Sequence, residues 1–406
     1  MSDTAAWEAL FARRTFGVRL GLSIVQGVFE ALGRPGQGTP AIHIVGTNGK
    51  GSTAALMEHA LRSRGWRTGL YTSPHLHRVG ERVRLDGEPV SDERLERHVD
   101  RVLATEPGLS LERPLSFFEV LTLAALDLMA QAPVDIAIVE AGLGGRLDAT
   151  RVVDARAVAV ASIARDHEAM LGSTLTAIAT EKAAVLRRGV PTFSAAQDPE
   201  AAAVLERRAT EVGSELHWVS PLPEAPRGLP GVHQRANAAV ALATAQVFEP
   251  TLTAADLDGV TWPGRLEPMA TGGGTLVFDV AHNPAGIRAM VDAVRQGAVA
   301  MPGLVVFGCQ ADKDAAAMVE TLAELGQQRW WVNPTPTDVP PSLPSEHWPR
   351  RFEAALDPAL VDGIAAHLAR GETVLVCGSH RVVGSLRGWA RGADRPPEPS
   401  DPRPTG

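Results

Sequence analysis

The sequence has few cysteines and no long basic run, and these absences exclude several classes of protein. Cys309 and Cys377 are the only cysteines among 406 residues, which rules out a disulfide scaffold and fits a reducing compartment. Both lie in or beside apolar, strand-like runs, so we expect buried thiols rather than a metal or redox site. The net charge of −8 and the lack of a basic cluster argue against nucleic acid as a partner.

The sequence also lacks membrane and export signals. Its N-terminus has no basic flank followed by an apolar segment, and no apolar stretch is long enough to cross a bilayer. We therefore expect a cytoplasmic protein that does not bind a membrane. The length predicts two domains, and a hydrophobic content of 45% is sufficient for a core in each.

The most informative stretch is IHIVGTNGKGST, at positions 42–53. A β-branched run predicts a buried strand, the glycines predict a turn, and the pattern that follows predicts a helix ending near Gly65. This order builds a phosphate-binding loop, because glycines let backbone amides face an anion and the helix N-terminus adds partial positive charge. Lys50 would reach the terminal phosphates, and a hydroxyl of Ser52 or Thr53 would contact a metal ion.

The spacing of this loop departs from the usual G-x-x-x-x-G-K-[ST] pattern. Gly51 separates Lys50 from Ser52, and Ile44 stands where the first glycine is expected. The loop alone is therefore weak evidence, and its value comes from the strand before it and the helix after it.

Polar residues follow three further predicted strands. Ser73 follows the strand 68–71, Glu140 ends the strand that begins at Val134, and His167 follows a strand over 157–163. A carboxylate at the carboxyl end of a parallel strand, beside a glycine turn, is where open α/β sheets bind ligands and metal ions. Without further context, the Ser-Pro step is also an ordinary turn and the histidine could be structural.

Three helices carry polar residues that have both a structural and a functional interpretation. Ser116 and Glu119 have the spacing of a capping box for an apolar helix that ends at Ala130. Lys182 lies in a helix where an exposed lysine would be unremarkable. Asn237 is a suitable N-cap for an alanine-rich helix that runs to position 248.

The chain resembles the folylpolyglutamate synthase and dihydrofolate synthase family of the Mur ligase superfamily. The resemblance covers about residues 12–390 and rests on GTNGKGS, TSPHL, GLGGRLDAT, DH, G-x-H-Q-x-x-N, PGR and DKD, in that order. It implies a P-loop-containing, mostly parallel α/β sheet domain of the Mur ligase central-domain type over 1–265. A smaller Rossmann-like α/β domain would follow over 266–394, and the proline-rich, charged tail over 395–406 is expected to be disordered.

The implied activity is the ATP-dependent addition of L-glutamate to a folate, and also to 7,8-dihydropteroate, through an acyl phosphate. ATP and Mg²⁺ are the implied cofactors, Lys182 would carry CO₂ as N6-carboxylysine, and a monovalent cation is a further candidate. We expect a monomer. The alternatives are a nucleotide-gated P-loop binding protein and another amide ligase of the Mur superfamily.

The resemblance also implies site residues. The catalytic set is Lys50, Lys182, Asp279 and His282. The ATP set is Thr47, Asn48, Gly49, Lys50, Gly51, Ser52, Asn237, Arg265 and Asp279. The metal set is Ser52, Ser73, Glu140, His167 and carboxylated Lys182. The folate or pteroate set is Arg14, Thr15, Ser116, Phe117, Phe118, Glu119, Leu147, Asp148 and Ala149. Arg151 stands where the family usually has Asn, a difference that we expect to be peripheral.

Overall fold

The computed structural model describes residues 5–13, 21–325, 328–334, 348 and 350–392, which form two compact units. Among the described residues, the first unit combines those up to Pro221 with Asn237–Leu257, and the second combines Leu222–Ala236 with those from Asp258 to Gly392. The predicted domain boundary at 265 stays a prediction. Arg14, Thr15 and the tail over 395–406 lie outside the described residues.

The first unit is built on an eight-stranded sheet with the order β4-β3-β2-β5-β1-β6-β7-β8. Its strands are β1 (Ala41–Val45), β2 (Thr68–Tyr71), β3 (Val83–Leu85), β4 (Glu88–Pro89), β5 (Ile136–Glu140), β6 (Ala155–Val160), β7 (Thr192–Ala195) and β8 (Leu216–Val219). Strand β3 is antiparallel to both β2 and β4. Every residue of β1, β2 and β5 is buried, as strands covered on both faces require.

Helices pack against this sheet, and two hydrophobic cores lie among its described residues. They are α1 (Ala5–Ala12), α2 (Leu22–Ala31), α3 (Lys50–Ser63), α4 (Asp92–Thr105), α5 (Phe117–Ala130), α6 (Glu168–Leu171), α7 (Leu175–Ala183) and α8 (Pro199–Val212). One core joins α1, α2, α4 and α5 around residues such as Leu10 and Val99. The other joins β6, α7 and α8 around Val158, Ile178 and Leu205. Helix α9 (Gln234–Ala245) begins in the segment assigned to the second unit and continues into the first.

The second unit is built on a six-stranded sheet with the order β13-β12-β11-β14-β10-β9. Its elements are β9 (Glu267–Thr271), β10 (Gly274–Phe278), α10 (Pro284–Arg295), β11 (Leu304–Phe307), α11 (Ala315–Leu322), β12 (Gln328–Val332), β13 (Arg350–Phe352), α12 (Pro358–Ala369), β14 (Thr373–Cys377) and α13 (His380–Ala390). Strand β9 is antiparallel to β10, and the other pairs are parallel.

The predicted fold class is confirmed by these two mostly parallel α/β sheets. Cys309 and Cys377 are both buried free thiols, as expected, and burial raises the pKa of Cys377 well above its usual value. In the part of the chain that the structure describes, no helix combines the length and the apolar character needed to cross a membrane.

Candidate functional site

The glycine-rich loop lies between the carboxyl end of β1 and the first turn of α3. The backbone amides of Thr47 and Asn48 donate to the carbonyl of Ser162 at 2.7 and 3.1 Å, so the loop is fixed to the segment after β6. Gly49 is the N-cap of α3 with a φ of 87°, a conformation that favours glycine. The following residues, including Gly51 and Ser52, form the buried first turn of α3, whose amides lie where the helix dipole favours an anion.

Lys50 faces a buried carboxylate at the end of β5. Its Nζ lies 3.9 Å from Oε1 of Glu140 and donates to the carbonyl of Thr47 at 3.2 Å. Glu140 is only 3% exposed, and its Oε2 accepts the backbone amide of Ser73 at 3.1 Å. The ends of β1, β2 and β5 therefore bring Lys50, Glu140 and Ser73 together, as the sequence predicted from their positions at strand ends.

Lys182 lies in the last turn of α7 and reaches the same edge of the sheet. Its Nζ donates to the carbonyl of Gly46, at the start of the glycine-rich loop, at 2.8 Å. Burial lowers the pKa of its ammonium group to about 7, and repulsion from Lys50 acts in the same direction. The side chain is 4% exposed, so the interpretation of Lys182 as a surface lysine is wrong.

Asp166 and His167 follow β6 at this edge. His167 is the N-cap of α6 with a φ of 52°, and its amide donates to Oδ1 of Asp166 at 2.9 Å. Asp166 is buried and its negative charge stabilises the Lys182 ammonium. The sequence indicated His167 from its place after a strand. It did not single out Asp166, although the same Asp-His pair carried the signal.

The turn GLGGRLDAT packs against the helix that carries Lys182. A Cβ atom on Gly145 would lie 2.9 Å from the carbonyl of Glu181 and 3.1 Å from that of Lys182. The amide of Arg146 donates to the same Glu181 carbonyl at 2.9 Å. Gly145 therefore permits a close approach of backbone to backbone that a side chain would prevent.

Asp148 organises this turn from within. Its Oδ2 accepts the amide of Leu143 at 2.8 Å, and its Oδ1 accepts the amide of Thr150 at 2.9 Å. The Thr150 hydroxyl also donates to Asp148, so Nε2 of His43 in β1 must donate to that hydroxyl, at 2.8 Å. Burial lowers the pKa of His43 to about 3, with repulsion from Arg187 and Arg151 in addition, so the ring is neutral at neutral pH.

The first residues of α5 include a residue with a capping role and an aromatic ring that is partly exposed. Ser116 and Glu119 form the predicted capping box, and both carboxylate oxygens of Glu119 also accept hydrogen bonds from Arg113 at 2.8 Å.

Phe117 is fully buried against Phe11. Phe118 is half-buried and lies over Gly142, so Phe118 rather than Phe117 faces the glycine turn. Leu147 is half-buried, and Ala149 is part of the core.

Asn237 lies beside the glycine-rich loop, but it is not an N-cap. Helix α9 begins at Gln234, so Asn237 is within its first turn and the predicted cap is wrong. Its amide is buried against Gly49, where an added Cβ would lie 2.3 Å from Asn237 Oδ1. The predicted contact of Asn237 with ATP stays a prediction.

Arg265, Asp279 and His282 lie in the second unit. Asp279 follows β10, and its two oxygens accept the amides of Leu266 and Ala281 at 2.9 and 2.8 Å. It thereby fixes the turn that carries Arg265, whose Nη1 donates to the carbonyl of Gly264 at 3.2 Å. His282 Nδ1 donates to the carbonyl of Val280 at 2.9 Å.

The residues at the edge of the first sheet fit a hard divalent cation. Glu140 is a buried carboxylate at that edge, 3.9 Å from Lys50 Nζ, and carboxylate oxygens are ligands that Mg²⁺ prefers. Among the described residues, no three side chains of the His, Cys, Asp and Glu types come together. A carboxylated Lys182 would add an anionic oxygen ligand to Glu140, Ser73 and His167, and a lysine with a pKa of about 7 has the neutral amine that reacts with CO₂.

Comparison with known proteins gives relatives over nearly the whole chain. Residues 264–380 match the sequence model of the family described as "Mur ligase, glutamate ligase domain". The chain is 32% identical over 400 residues to folylpolyglutamate synthase of Lacticaseibacillus casei, covering 89% of this chain and 92% of that protein. It is 32% identical to dihydrofolate synthase/folylpolyglutamate synthase of Bacillus subtilis, covering 79% and 82% of the two chains. The structure of Mycobacterium tuberculosis folylpolyglutamate synthase complexed with ADP has a TM-score of 0.85 and 28% identity, covering 97% and 99%.

Proposed function

The chain belongs to the folylpolyglutamate synthase and dihydrofolate synthase family of the Mur ligase superfamily, and from this premise we propose that it joins L-glutamate to a folate at the expense of ATP. The observation that carries the proposal is the convergence of Lys50, Glu140 and Lys182 on the glycine-rich loop. This arrangement supplies the Lys50 cation and loop amides for phosphates, with the buried carboxylate of Glu140 beside them.

The chemistry requires activation of a carboxylate, because a carboxylate does not react with an amine at neutral pH. A carboxylate oxygen of the folate attacks the γ-phosphorus of ATP, which forms an acyl phosphate and releases ADP. The amine of glutamate then attacks the acyl carbon, and the tetrahedral intermediate expels phosphate as the amide forms and the nitrogen loses its proton. Lys50 and the amides at the start of α3 stabilise negative charge during phosphoryl transfer.

Mg²⁺ would be held by Ser52, Ser73, Glu140, His167 and carboxylated Lys182. When bound, it neutralises phosphate charge and orients the transferred group. Glu140 supplies the anionic ligand, and its hydrogen bond from the Ser73 amide fixes the orientation of the carboxylate.

Lys182 is suited to carboxylation by its environment. Its neutral amine, with a pKa of about 7, attacks CO₂ to give a carbamate and a released proton. The positive charge of Lys50 stabilises the resulting anion, whereas it destabilises the ammonium form. The same pair of lysines thus favours the modified side chain.

The other predicted site residues have roles in the proposal, but the proposal does not depend on them. Phe118, Leu147 and the rest of the predicted set would contact the pterin side of the acceptor. Asn237, Arg265 and Asp279 would bind ATP, and His282 would assist the reaction. We further propose that 7,8-dihydropteroate is a second acceptor and that the enzyme is a cytoplasmic monomer.

The proposal is tested by product analysis with the purified chain, ATP, Mg²⁺, L-glutamate and each acceptor separately. We expect a folate product that is one glutamyl residue longer, and dihydrofolate when dihydropteroate is supplied. ATP turnover that ignores both acceptors and glutamate would support a nucleotide-gated binding protein instead. Turnover only with a UDP-sugar peptide acceptor would indicate another amide ligase of the superfamily.

A further inference from the structure

A cavity of about 450 Å³ lies in the first unit, at the edge of the sheet opposite the glycine-rich loop. Ala41 and Ala137, near the amino ends of β1 and β5, line it, together with the last turn of α5. Strands β1 and β5 run from this edge to the loop and to Glu140, so the length of a five-residue strand, roughly 15 Å, separates the cavity from the catalytic residues.

One part of the cavity wall is apolar. Phe29 of α2, Leu126 and Met129 of α5, and Val152 before β6 contribute side chains to it. The volume lies within the range of pockets that bind small organic molecules, roughly 300–1,000 Å³. Such a wall can accept an aromatic or aliphatic body.

The remaining wall carries two guanidinium groups that neutral acceptors hold in place. Arg187 donates to the carbonyls of Val153 and Arg151 at 2.7 Å each, and Arg151 donates to the carbonyl of Arg146 at 2.9 Å. Over the described ranges, neither guanidinium forms an ion pair with a carboxylate. Burial and the nearby Arg151 lower the pKa of Arg187, which shows that the two positive charges repel each other.

The other charged groups of the wall are already paired. Arg34 forms hydrogen bonds of 2.7–2.9 Å with Glu30. Asp154 accepts from Arg156, which does not line the cavity, at 2.9 Å. The nearby Asp154 partly offsets the charge of Arg187, but with three arginines and two carboxylates the wall keeps an excess of positive charge beside an apolar surface.

We propose that this cavity is a second binding site, which takes a small molecule with an apolar body and one carboxylate or phosphate group. The oxyanion binds Arg151 and Arg187, because a guanidinium pairs with carboxylate and phosphate through parallel hydrogen bonds. The apolar body lies against Phe29, Leu126 and Met129. Nothing in the ligase reaction requires this site, since it lies at the far edge of the sheet.

Two fluorescent probes of similar shape test the proposal on the full chain, with ATP and folate at saturation to fill the substrate sites. One is 1-anilinonaphthalene-8-sulfonate, which carries an anion, and the other is N-phenyl-1-naphthylamine, which does not. We expect Ala130→Trp, at an exposed position lining the cavity, to abolish the binding of both probes. Arg151→Asn should lower the affinity for the anionic probe about 10-fold and leave the affinity for the neutral probe unchanged. This is the size of the effect of one charge-assisted hydrogen bond.

Arg188→Asn is the matched control, since it removes the same charge from an exposed neighbour that does not line the cavity. Unchanged ligase rates without probe establish that each variant is folded. Displacement of the anionic probe by 2-naphthoate or by 2-naphthyl phosphate identifies the preferred oxyanion. The proposal is overturned if Ala130→Trp still binds the anionic probe, if Arg151→Asn and Arg188→Asn behave alike, or if neither competitor displaces it.

Discussion

At the scale of single residues, the environment of Lys182 makes the clearest prediction. Lys182→Ala removes the side chain that the proposed carbamate requires, so we expect the ligase rate to fall about 100-fold or more, an electrostatic loss typical of catalytic ligands. Acetate or formate can occupy the vacated anion position and should restore part of the rate. The measurement is the rate against added carboxylate, with chloride at equal ionic strength as the control. A failure of both carboxylates to restore activity would contradict the carbamate.

Glu140 makes a second prediction of this kind. Glu140→Gln keeps the shape of the side chain and removes its charge, so turnover should fall roughly ten-fold or more. The Mg²⁺ concentration that gives half of the maximal rate should rise. A titration of the rate with Mg²⁺ for both proteins measures this change. An unchanged Mg²⁺ dependence would remove Glu140 from the metal site.

His43 predicts a pH dependence of stability. The unfolded imidazole binds a proton near pH 6.5, but the folded one does so only near pH 3. Between these values the unfolded state binds more protons, so the free energy of unfolding falls as the pH falls. At pH 4.5 the loss from His43 amounts to about 2–3 kcal/mol, at about 1.4 kcal/mol per pH unit.

Urea unfolding of the wild type and of His43→Asn at pH 6.5 and pH 4.5 measures the contribution of His43 to the pH dependence of stability. The variant has no group that titrates at position 43, so its free energy of unfolding should fall less between the two values. Equal losses in the two proteins would show that the ring is protonated in the folded state at a higher pH than the structure indicates.

From the sequence, the position of a single residue in the fold could be predicted only where that residue follows a recognisable strand. Glu140 ends β5 and Ser73 follows β2 by two residues, so both lie near the strand ends from which the sequence predicted them. The hydrogen bond between His43 and Thr150 joins residues 107 positions apart, and no local pattern reveals it. Likewise, the choice between Phe117 and Phe118 depends on which side of α5 meets the core.

At the scale of elements, the contact between the glycine turn and α7 is the most sensitive feature. In Gly145→Ala the new methyl group would lie 2.8 Å from Val185 and 2.9 Å from the Glu181 carbonyl, so the turn and the helix must separate. We expect a loss of roughly 1–3 kcal/mol in unfolding free energy, typical of overpacking. The ligase rate should fall as well, because Lys182 is on that helix.

Gly27→Ala provides the control for this change. Gly27 lies in α2, and no atom is within 4 Å of the position that a Cβ would take. This variant should be as stable as the wild type or up to about 1 kcal/mol more stable, because alanine favours a helix. Equal effects of the two substitutions on stability and rate would show that the contact between the turn and α7 has no special role.

Element boundaries were predicted best where apolar β-branched runs are bounded by glycine or polar residues. Strand β2 has the predicted limits, and α5 begins after the predicted cap Ser116. Short or polar strands such as β4 and β8 carry too little periodicity to be recognised. Their pairing is determined by neighbours distant in sequence.

At the scale of the whole molecule, the ordered motifs were more informative than composition. They predicted two mostly parallel α/β sheets, which the structure confirms. They could not predict that 222–236 belongs with the second unit, because that assignment follows from packing rather than from sequence order. Arg151, where the chain departs from the family pattern, lines the cavity at the edge of the sheet opposite the glycine-rich loop.

The proposed function is tested most directly by tracing oxygen through the reaction. Folate labelled with ¹⁸O in its carboxylates is incubated with the purified chain, ATP, Mg²⁺ and L-glutamate, and the phosphate and the folate product are analysed by mass spectrometry. We predict one ¹⁸O atom in the released phosphate for each amide formed, and neither product with Lys50→Ala, whose melting temperature should match that of the wild type. Consumption of ATP with unlabelled phosphate and no glutamylated folate would contradict the proposed ligase.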